Sequence, residues 1–417
     1  MTEINGELAK PVSTKERIKE LDIVRGFALF GVLLVNMVMF NSTLYATAYG
    51  KIASYLPLSN PLELDLLSNR IAAMLIQVFA EGKFYTIFSF LFGLGFYIFI
   101  ERAEAKTNSP KKLFLRRSII LFLFGVLHFV FVWYGDILHT YGLVAFILIL
   151  FKNSKVKTVR NWIIILLTFS LLMIAGFVIL NDFIELSNSG IFQETNLSMQ
   201  LMAEESIEIY TNGSYGEIVG YRVTKELPII LANLIGIAPK ILGMFLIGLY
   251  VGKRKIHASL QEHKAIIGKS WKITGVVGWL STIAYVLIQL NIIKLNPVVN
   301  NGVIHLFKEM ATIFLSLFYM TSLVLLYQKV NFRKYLQPLS YMGQMALTNY
   351  LIQCILCSLI FYGYGIGLAQ RISITSIILL TLSIYFGQML FSKAWLKKFQ
   401  YGPFEWLWRY LTYKGSI

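Results

Sequence analysis

Charge is scarce in this 417-residue chain. Asp, Glu, Lys and Arg make up 14% of it, against about 25% in an ordinary soluble domain. Apolar residues take their place: 56% of the chain is hydrophobic and the mean hydropathy is +0.64. Apolar stretches long enough to cross a bilayer recur along nearly the whole length, which excludes a soluble globular class. Cysteine is almost absent. Cys354 and Cys357 lie one helical turn apart in apolar sequence, with no His or acid at ligand spacing. The pair therefore reads as packing, not as metal or redox chemistry. A cleavable signal peptide is also missing, since residues 1–20 are polar and no small-residue cleavage site follows the first apolar run. No internal repeat is evident, which argues against a carrier built from inverted halves.

The charge that is present is mostly positive, a formal net of +16. Its distribution points to topology and not to nucleic acid. The apolar pattern gives ten spans, roughly 21–41, 84–101, 113–134, 137–151, 161–181, 228–252, 268–290, 304–328, 341–363 and 370–392. Connections 1–20, 102–117, 152–160, 253–272, 329–340 and 393–417 together hold 28 Lys and Arg, and the alternate connections hold six. Positive charge stays on the cytoplasmic side because translocating it is unfavourable, so both termini are expected inside. The fold class is all-α: a polytopic transmembrane helix bundle with interfacial amphipathic helices. Its parts are a cytoplasmic segment 1–20, the bundle 21–392 and a cytoplasmic interfacial helix within 393–417. The lipid bilayer is the one partner that composition names, with no nucleic acid; oligomeric state is left open.

Three segments depart from plain spans. Residues 62–80 are amphipathic, with Glu63, Asp65 and Arg70 interrupting the apolar positions. They are expected to lie at the outer interface, separated from the second span by a break at Glu81, Gly82 and Lys83. Residues 182–227 hold eight acids against Arg222 and Lys225, yet stay rich in apolar residues, which suits a folded outer cap. "GPFEWLWRYLTY" reads as a helix from Pro403 with Phe404, Leu407, Trp408 and Leu411 on one face. Glu405 and Arg409 are spaced to pair on another face, and the whole is expected to lie flat as an anchor.

A charge at the centre of a span costs about 2.5–3.5 kcal/mol on insertion scales, so each one marks a candidate site. These are Asp22, Arg25, Glu81, Lys83, Lys240, Lys308 and Glu309, joined by His128, His139 and His305 as ionisable groups. With the expected topology, His128, Asp136, His139, Glu81, Lys83, His305, Lys308 and Glu309 all fall on the outer side. Asp136 in "VWYGDILHTYGLV" admits two readings. Its carboxylate can cap the following helix by accepting the amide of residue 138 or 139. It can also fix the tautomer of His139 and raise its basicity, as a general base requires. Asp22 with Arg25, and His305 with Glu309, equally suit plain structural pairs.

"RIKELDIVRGFALFGVLLVN", "NGSYGEIVGYR", "LGMFLIGLYVGKRKI", "LQPLSYMGQMALTNYLIQCILCSLIFYGYGIGL" and "GPFEWLWRYLTY" occur in that order. In these motifs the chain resembles the YeiB-like family of bacterial membrane proteins over nearly its whole length. The resemblance implies a multi-pass protein of the bacterial plasma membrane. "LDIVRGFALFGVLLVN" is more distantly similar to the first span of membrane acyltransferases of the glucosaminide acetyltransferase type. That similarity implies a cytoplasmic acyl-CoA donor, an extracytoplasmic acceptor and a membrane histidine, with Arg25 matching a first-span arginine and Asn36 falling eleven residues on. The stretch before the second span, where those enzymes place their histidine, offers Glu81 and Lys83 instead. Either the base has moved to His139, His128 or His305, or the scaffold performs another task.

The functional expectation is acyl transfer with His139 as base and Asp136 orienting it. Arg25, Asn36, Glu81, Lys83, His128, His305, Lys308 and Glu309 are expected around the substrates. No bound cofactor or metal is implied, and acyl-CoA enters as donor substrate. The alternatives are a transporter of a small molecule or lipid, with Lys240, Lys308 and Glu309 along its path, and a membrane sensor or assembly partner without turnover.

Overall fold

The computed structural model describes residues 17–44, 67–187 and 190–413, with side chains throughout except at 190–196. Every regular element among the described residues is helical. A helix satisfies its backbone groups internally, which is what a hydrocarbon environment demands of apolar sequence. The helices are α1 (Lys19–Phe40), α2 (Leu67–Phe79), α3 (Lys83–Glu104), α4 (Pro110–Phe131) and α5 (Leu138–Leu148). They continue with α6 (Val156–Leu186), α7 (Gly190–Asn212), α8 (Tyr215–Tyr221), α9 (Leu227–Lys253) and α10 (Lys264–Gln289). The last five are α11 (Pro297–Gln328), α12 (Val330–Gln344), α13 (Ala346–Phe361), α14 (Ile374–Trp395) and α15 (Pro403–Tyr413).

Eight stretches are long and apolar enough to cross a membrane: α1, α2 with α3, α4, α6, α8 with α9, α10, α11 and α14. A ninth is α12 with α13, bent by 77° at Met345. The sequence count of about ten also includes α5, which with its 3-10 extension runs Leu138–Phe151 and is shorter than the rest. Large apolar side chains face outward in numbers no water-soluble surface tolerates. Ile164, Ile165, Leu172 and Phe177 of α6 are more than half exposed, as are Leu379 and Phe386 of α14. This is a multi-pass membrane protein whose outer shell faces lipid.

The connections gather at two opposite ends. At the basic end Lys253 donates to the Lys152 carbonyl at 2.7 Å, Lys152 pairs with Glu104 at 2.7 Å, and Trp408 donates to the Arg117 carbonyl at 3.0 Å. At the other end Gly363 donates to the Tyr210 carbonyl at 2.9 Å, Tyr215 to that of Phe131 at 2.9 Å, and Gln370 to that of Asn41 at 3.1 Å. Where helices cross between these ends, glycine sets the spacing, as expected without a hydrophobic drive between helices in lipid. A Cβ at Gly343 would collide with the Asp22 carbonyl, and one at Gly93 with that of Phe245. These contacts bring α12 onto α1 and α3 onto α9.

Three expectations need correction. The break after α2 is where the sequence places it, at 80–82, with Gly82 at φ 78°. Yet α2 is not laid flat: among the described residues only the Met345 break bends an apolar helix pair by more than 40°, and Leu67–Glu104 runs on as one stretch. Lipid-facing Leu67, Ile71, Met74 and Leu75 give α2 an apolar outer side of its own. Glu63 and Asp65, assigned to the same amphipathic segment, lie outside the described residues. Second, the ninth span is two helices. Third, Glu405 does not pair with Arg409.

The second and third corrections share a cause. The kink at Met345 leaves the N-terminus of α13 without a preceding turn or a cap from its own side chains. Glu405 supplies what is missing: its Oε1 accepts the amides of Leu347 at 2.7 Å and Thr348 at 3.1 Å, and its Oε2 accepts the Thr348 hydroxyl at 2.5 Å. The α15 helix is thus fixed to the bundle by a cap in trans, with Arg117 3.6 Å from the Trp408 ring centroid holding its other side. Only Trp406 and Tyr410, stacked at 5.5 Å, face outward as interfacial aromatics. Glu405→Ala removes three acceptor contacts at a helix start and should lower stability by about 1–3 kcal/mol. The check is the apparent Tm of the purified protein, with Arg409→Ala as a milder comparison.

Candidate functional site

Asp136 sits in the connection between α4 and α5, and both of its oxygens are committed. Oδ2 accepts the backbone amide of His139 at 2.8 Å, the capping role that the spacing anticipates. The same oxygen meets His139 Nδ1 at 2.8 Å, so capping and orientation come from one atom. Oδ1 meets His128 Nδ1 at 2.9 Å and lies 3.5 Å from the Tyr350 hydroxyl of α13. A carboxylate only accepts, so both imidazoles present an Nδ1–H to it and carry their lone pair on Nε2. His139 Nε2 lies 3.2 Å from the Thr140 hydroxyl. His128 Nε2 is buried and without a partner. Two imidazoles therefore share one orienting carboxylate, and the unengaged nitrogen belongs to His128.

Local sequence makes this convergence possible. The α4 helix carries His128 one turn from its end, and the tight Trp133–Asp136 connection turns the chain back so that α5 runs along α4. Gly125 is the close-approach point: a Cβ there would strike the His139 amide. The cap segment fastens the same corner. Between α8 and α9 lies a π-helical turn, Arg222–Glu226, a geometry that recurs at functional sites. It aims Arg222 at the C-terminal carbonyls of α4, Val130 at 2.8 Å and Phe129 at 3.4 Å. Those are groups that a helix end leaves unsatisfied. Tyr210 of α7 donates to Glu226 Oε2 at 2.7 Å beneath it. Within the segment read as a cap, α7, α8 and the π-helical turn are thus braced onto the helix that presents His128.

A second cluster forms where α3, α9 and α11 meet. Lys308 pairs with Glu81 at 3.0 Å. Lys240 pairs with Glu309 and donates to the Tyr85 hydroxyl at 2.8 Å. Lys83 is 0% exposed and donates to the Gln77 carbonyl at 2.9 Å, and among the described residues it forms no ion pair with an acid. His305 is buried one turn from Glu309, whose ion-pair partner is Lys240, not the His305 that the i, i+4 spacing suggests. The two clusters are neighbours: the Tyr141 hydroxyl, two residues beyond His139, donates to the Tyr85 carbonyl at 2.7 Å.

Arg25 and Asn36 share no hydrogen bond or ion pair with either cluster among the described residues. Arg25 pairs with Asp22 at 2.8 Å near the basic end of α1. Asn36 is half-buried farther along the same helix. Among the described residues no group of His, Cys, Asp and Glu is placed to hold a metal ion. Tyr350, Thr140, Tyr85 and Arg222 were not singled out by sequence reasoning. Tyr350 and Arg222 lie within distinctive motifs, "ALTNYLIQC" and "GEIVGYR", but a neutral or cap-bound side chain gives no signal of burial beside a carboxylate.

Comparison with known proteins gives the lineage. Residues 251–415 match the family described as "Protein of unknown function (DUF418)". A relative in Bacillus subtilis (strain 168), the uncharacterized protein YxaH, is 34% identical over 97% of this chain and 96% of its own. The chain belongs to the DUF418 family. Further family-like relatives are an uncharacterized 39.9 kDa protein of Bacillus acidopullulyticus and the uncharacterized protein YeiB of Escherichia coli (strain K12). The first is 31% identical over 98% of this chain and 97% of its own length. The second is 26% identical over 96% and 97%. No solved structure matches this DUF418 chain.

Proposed function

We propose that this DUF418 protein transfers an acyl group from a cytoplasmic acyl-CoA to an extracytoplasmic acceptor, with His128 as general base. The observation that carries this reading is His128 Nε2, buried and unpartnered on an imidazole whose other nitrogen is held by Asp136. That is the arrangement a base needs before its substrate arrives. His139 shares the carboxylate and, with Thr140, fixes its orientation. If the basic end is cytoplasmic, the His128 corner and its cap face the acceptor side, in the bacterial plasma membrane. Arg25 and the basic connections lie on the side where the donor's phosphates would arrive. In the step itself, Nε2 takes the proton of an acceptor hydroxyl or amine as that atom attacks the thioester carbonyl. The thioester C–S bond breaks, and the departing CoA thiolate takes up the proton.

The test is thermal stability of the purified protein with acetyl-CoA and longer acyl-CoAs. A ligand at 100 times its Kd stabilises the native state by about 2.7 kcal/mol. A dose-dependent rise that dephospho analogues fail to reproduce supports donor binding. A flat response at millimolar concentration across donors overturns it. One observation favours a second reading, transport of a small polar molecule: five charged side chains, Glu81, Lys83, Lys240, Lys308 and Glu309, meet inside the bundle. In that case solute uptake into vesicles survives His128→Ala and fails with Lys308→Met.

A further inference from the structure

Three arginines from distant parts of the chain meet at the basic end. Arg17 precedes α1, Arg117 belongs to α4 and Arg409 to α15. The Tyr401 ring joins two of them, with Arg409 Cζ 4.2 Å and Arg17 Cζ 5.8 Å from its centroid. Arg117 lies against Trp408, the residue before Arg409, and within Coulombic reach of Arg409 and Arg25. All three are half-buried, and among the described residues none forms an ion pair with an acid. Arg17 donates to the Gln344 side chain at 2.9 Å. The neighbouring acids are engaged elsewhere, Asp22 with Arg25 and Glu405 with the start of α13. Burial, with the Arg17 charge adding to it, pulls the Arg409 guanidinium below its ordinary value. Orientation in the membrane asks only that Lys and Arg lie near one surface. It does not ask for three guanidiniums packed together, which like-charge repulsion opposes. Stacking on a ring uses the face of a guanidinium and leaves its N–H edge to donate.

We propose that Arg17, Arg117 and Arg409 form a binding site for a phosphate group. Their N–H forks donate to the phosphate oxygens, and the ligand's negative charge relieves the repulsion among them. Tyr401 and Trp408 hold two of the forks in place before the ligand arrives. The same chemistry suits two sources. One is the phosphorylated nucleotide of an acyl-CoA, a choice that rests on the acyl-transfer reading. The other is the headgroup of an anionic lipid beside the outward aromatics of α15.

The experiment measures the apparent Tm of the full chain in an uncharged detergent against adenosine 3′,5′-bisphosphate, the nucleotide fragment of CoA, with adenosine as control. In parallel, it compares phosphatidylglycerol vesicles with phosphatidylcholine vesicles. Arg17→Gln and Arg409→Gln should each weaken the protecting ligand by about tenfold or more. Lys397→Gln with Lys398→Gln, which removes two exposed charges at the same end, should weaken it by less than about threefold. Protection by the bisphosphate identifies the nucleotide, and protection by phosphatidylglycerol alone identifies a lipid headgroup. No protection by either, unchanged protection in the arginine variants, or an equal loss in the double lysine variant overturns the proposal. If acyl-CoA raises the Tm of wild type and both arginine variants alike, acyl transfer stands and this site falls. If Arg409→Gln loosens α15 and fails to fold, Arg17→Gln decides, and an unchanged affinity in that variant overturns the site.

Discussion

His128→Ala should lower acyl transfer by about two to four orders of magnitude, the usual contribution of a positioned general base. The loss should fall on kcat with KM nearly unchanged, since the imidazole acts on a proton in flight more than on substrate in the ground state. His139→Ala should behave differently. Its Nε2 is already engaged by Thr140, and its ring helps fill the corner against Phe129 at a centroid distance of 5.9 Å. That variant should lose stability along with rate. Asp136→Asn keeps an oxygen for one partner but presents an amide to the other, so one imidazole loses its orienting acceptor. Its rate should drop toward that of His128→Ala. The decisive outcome is the order of the two histidine variants. If His139→Ala abolishes turnover in a folded protein and His128→Ala changes it only a few-fold, the base is His139, as the sequence alone had suggested.

The second large effect concerns the pair formed by Lys240 and Glu309. Glu309→Ala strands a buried ammonium whose remaining partner is the Tyr85 hydroxyl. Removing one partner of a buried pair costs about 3–5 kcal/mol, because the other charge stays behind in a medium that cannot solvate it. Lys240→Met removes the charge that Glu309 was answering and should cost a similar amount. The double variant Lys240→Met with Glu309→Leu should recover much of either loss, since matched apolar replacements of a buried pair are often neutral. Apparent Tm values for the four proteins close the cycle. Additive losses in the double variant would show that the two side chains do not depend on each other.

Different parts of this molecule were legible to different degrees, for physical reasons. Span-length apolar runs and the lysine asymmetry report the bundle directly, because the bilayer penalises anything else. The break at Gly82 was readable because a charge-glycine-charge triplet interrupts an apolar pattern. The break at Met345 was not: "YMGQMALTNY" is continuous in hydropathy, and the turn depends on Glu405, which lies far along the chain. The same limit applies to the site. Asp136 and His139 are three residues apart, so local spacing brings them together on paper. His128 reaches the same carboxylate only because Gly125 lets α5 close against α4, a tertiary fact that periodicity does not contain. The partners of the buried acids follow suit. Local spacing offers His305 and Arg409 as partners, while Glu309 and Glu405 take theirs from other helices.

The cap that Glu405 places on α13 also bears on biogenesis. Its acceptor oxygen arrives 58 residues after the Leu347 amide it satisfies, with all of α14 in between. When α13 leaves the ribosome it has a bare N-terminus at the end of a sharp kink, and nothing emerging next can cover it. Until α15 follows, that helix start has no side-chain cap of its own. Proofreading of nascent chains would then have a natural checkpoint here. A chain halted between Trp395 and Pro403 would lack Glu405 and leave the Leu347 and Thr348 amides without that acceptor.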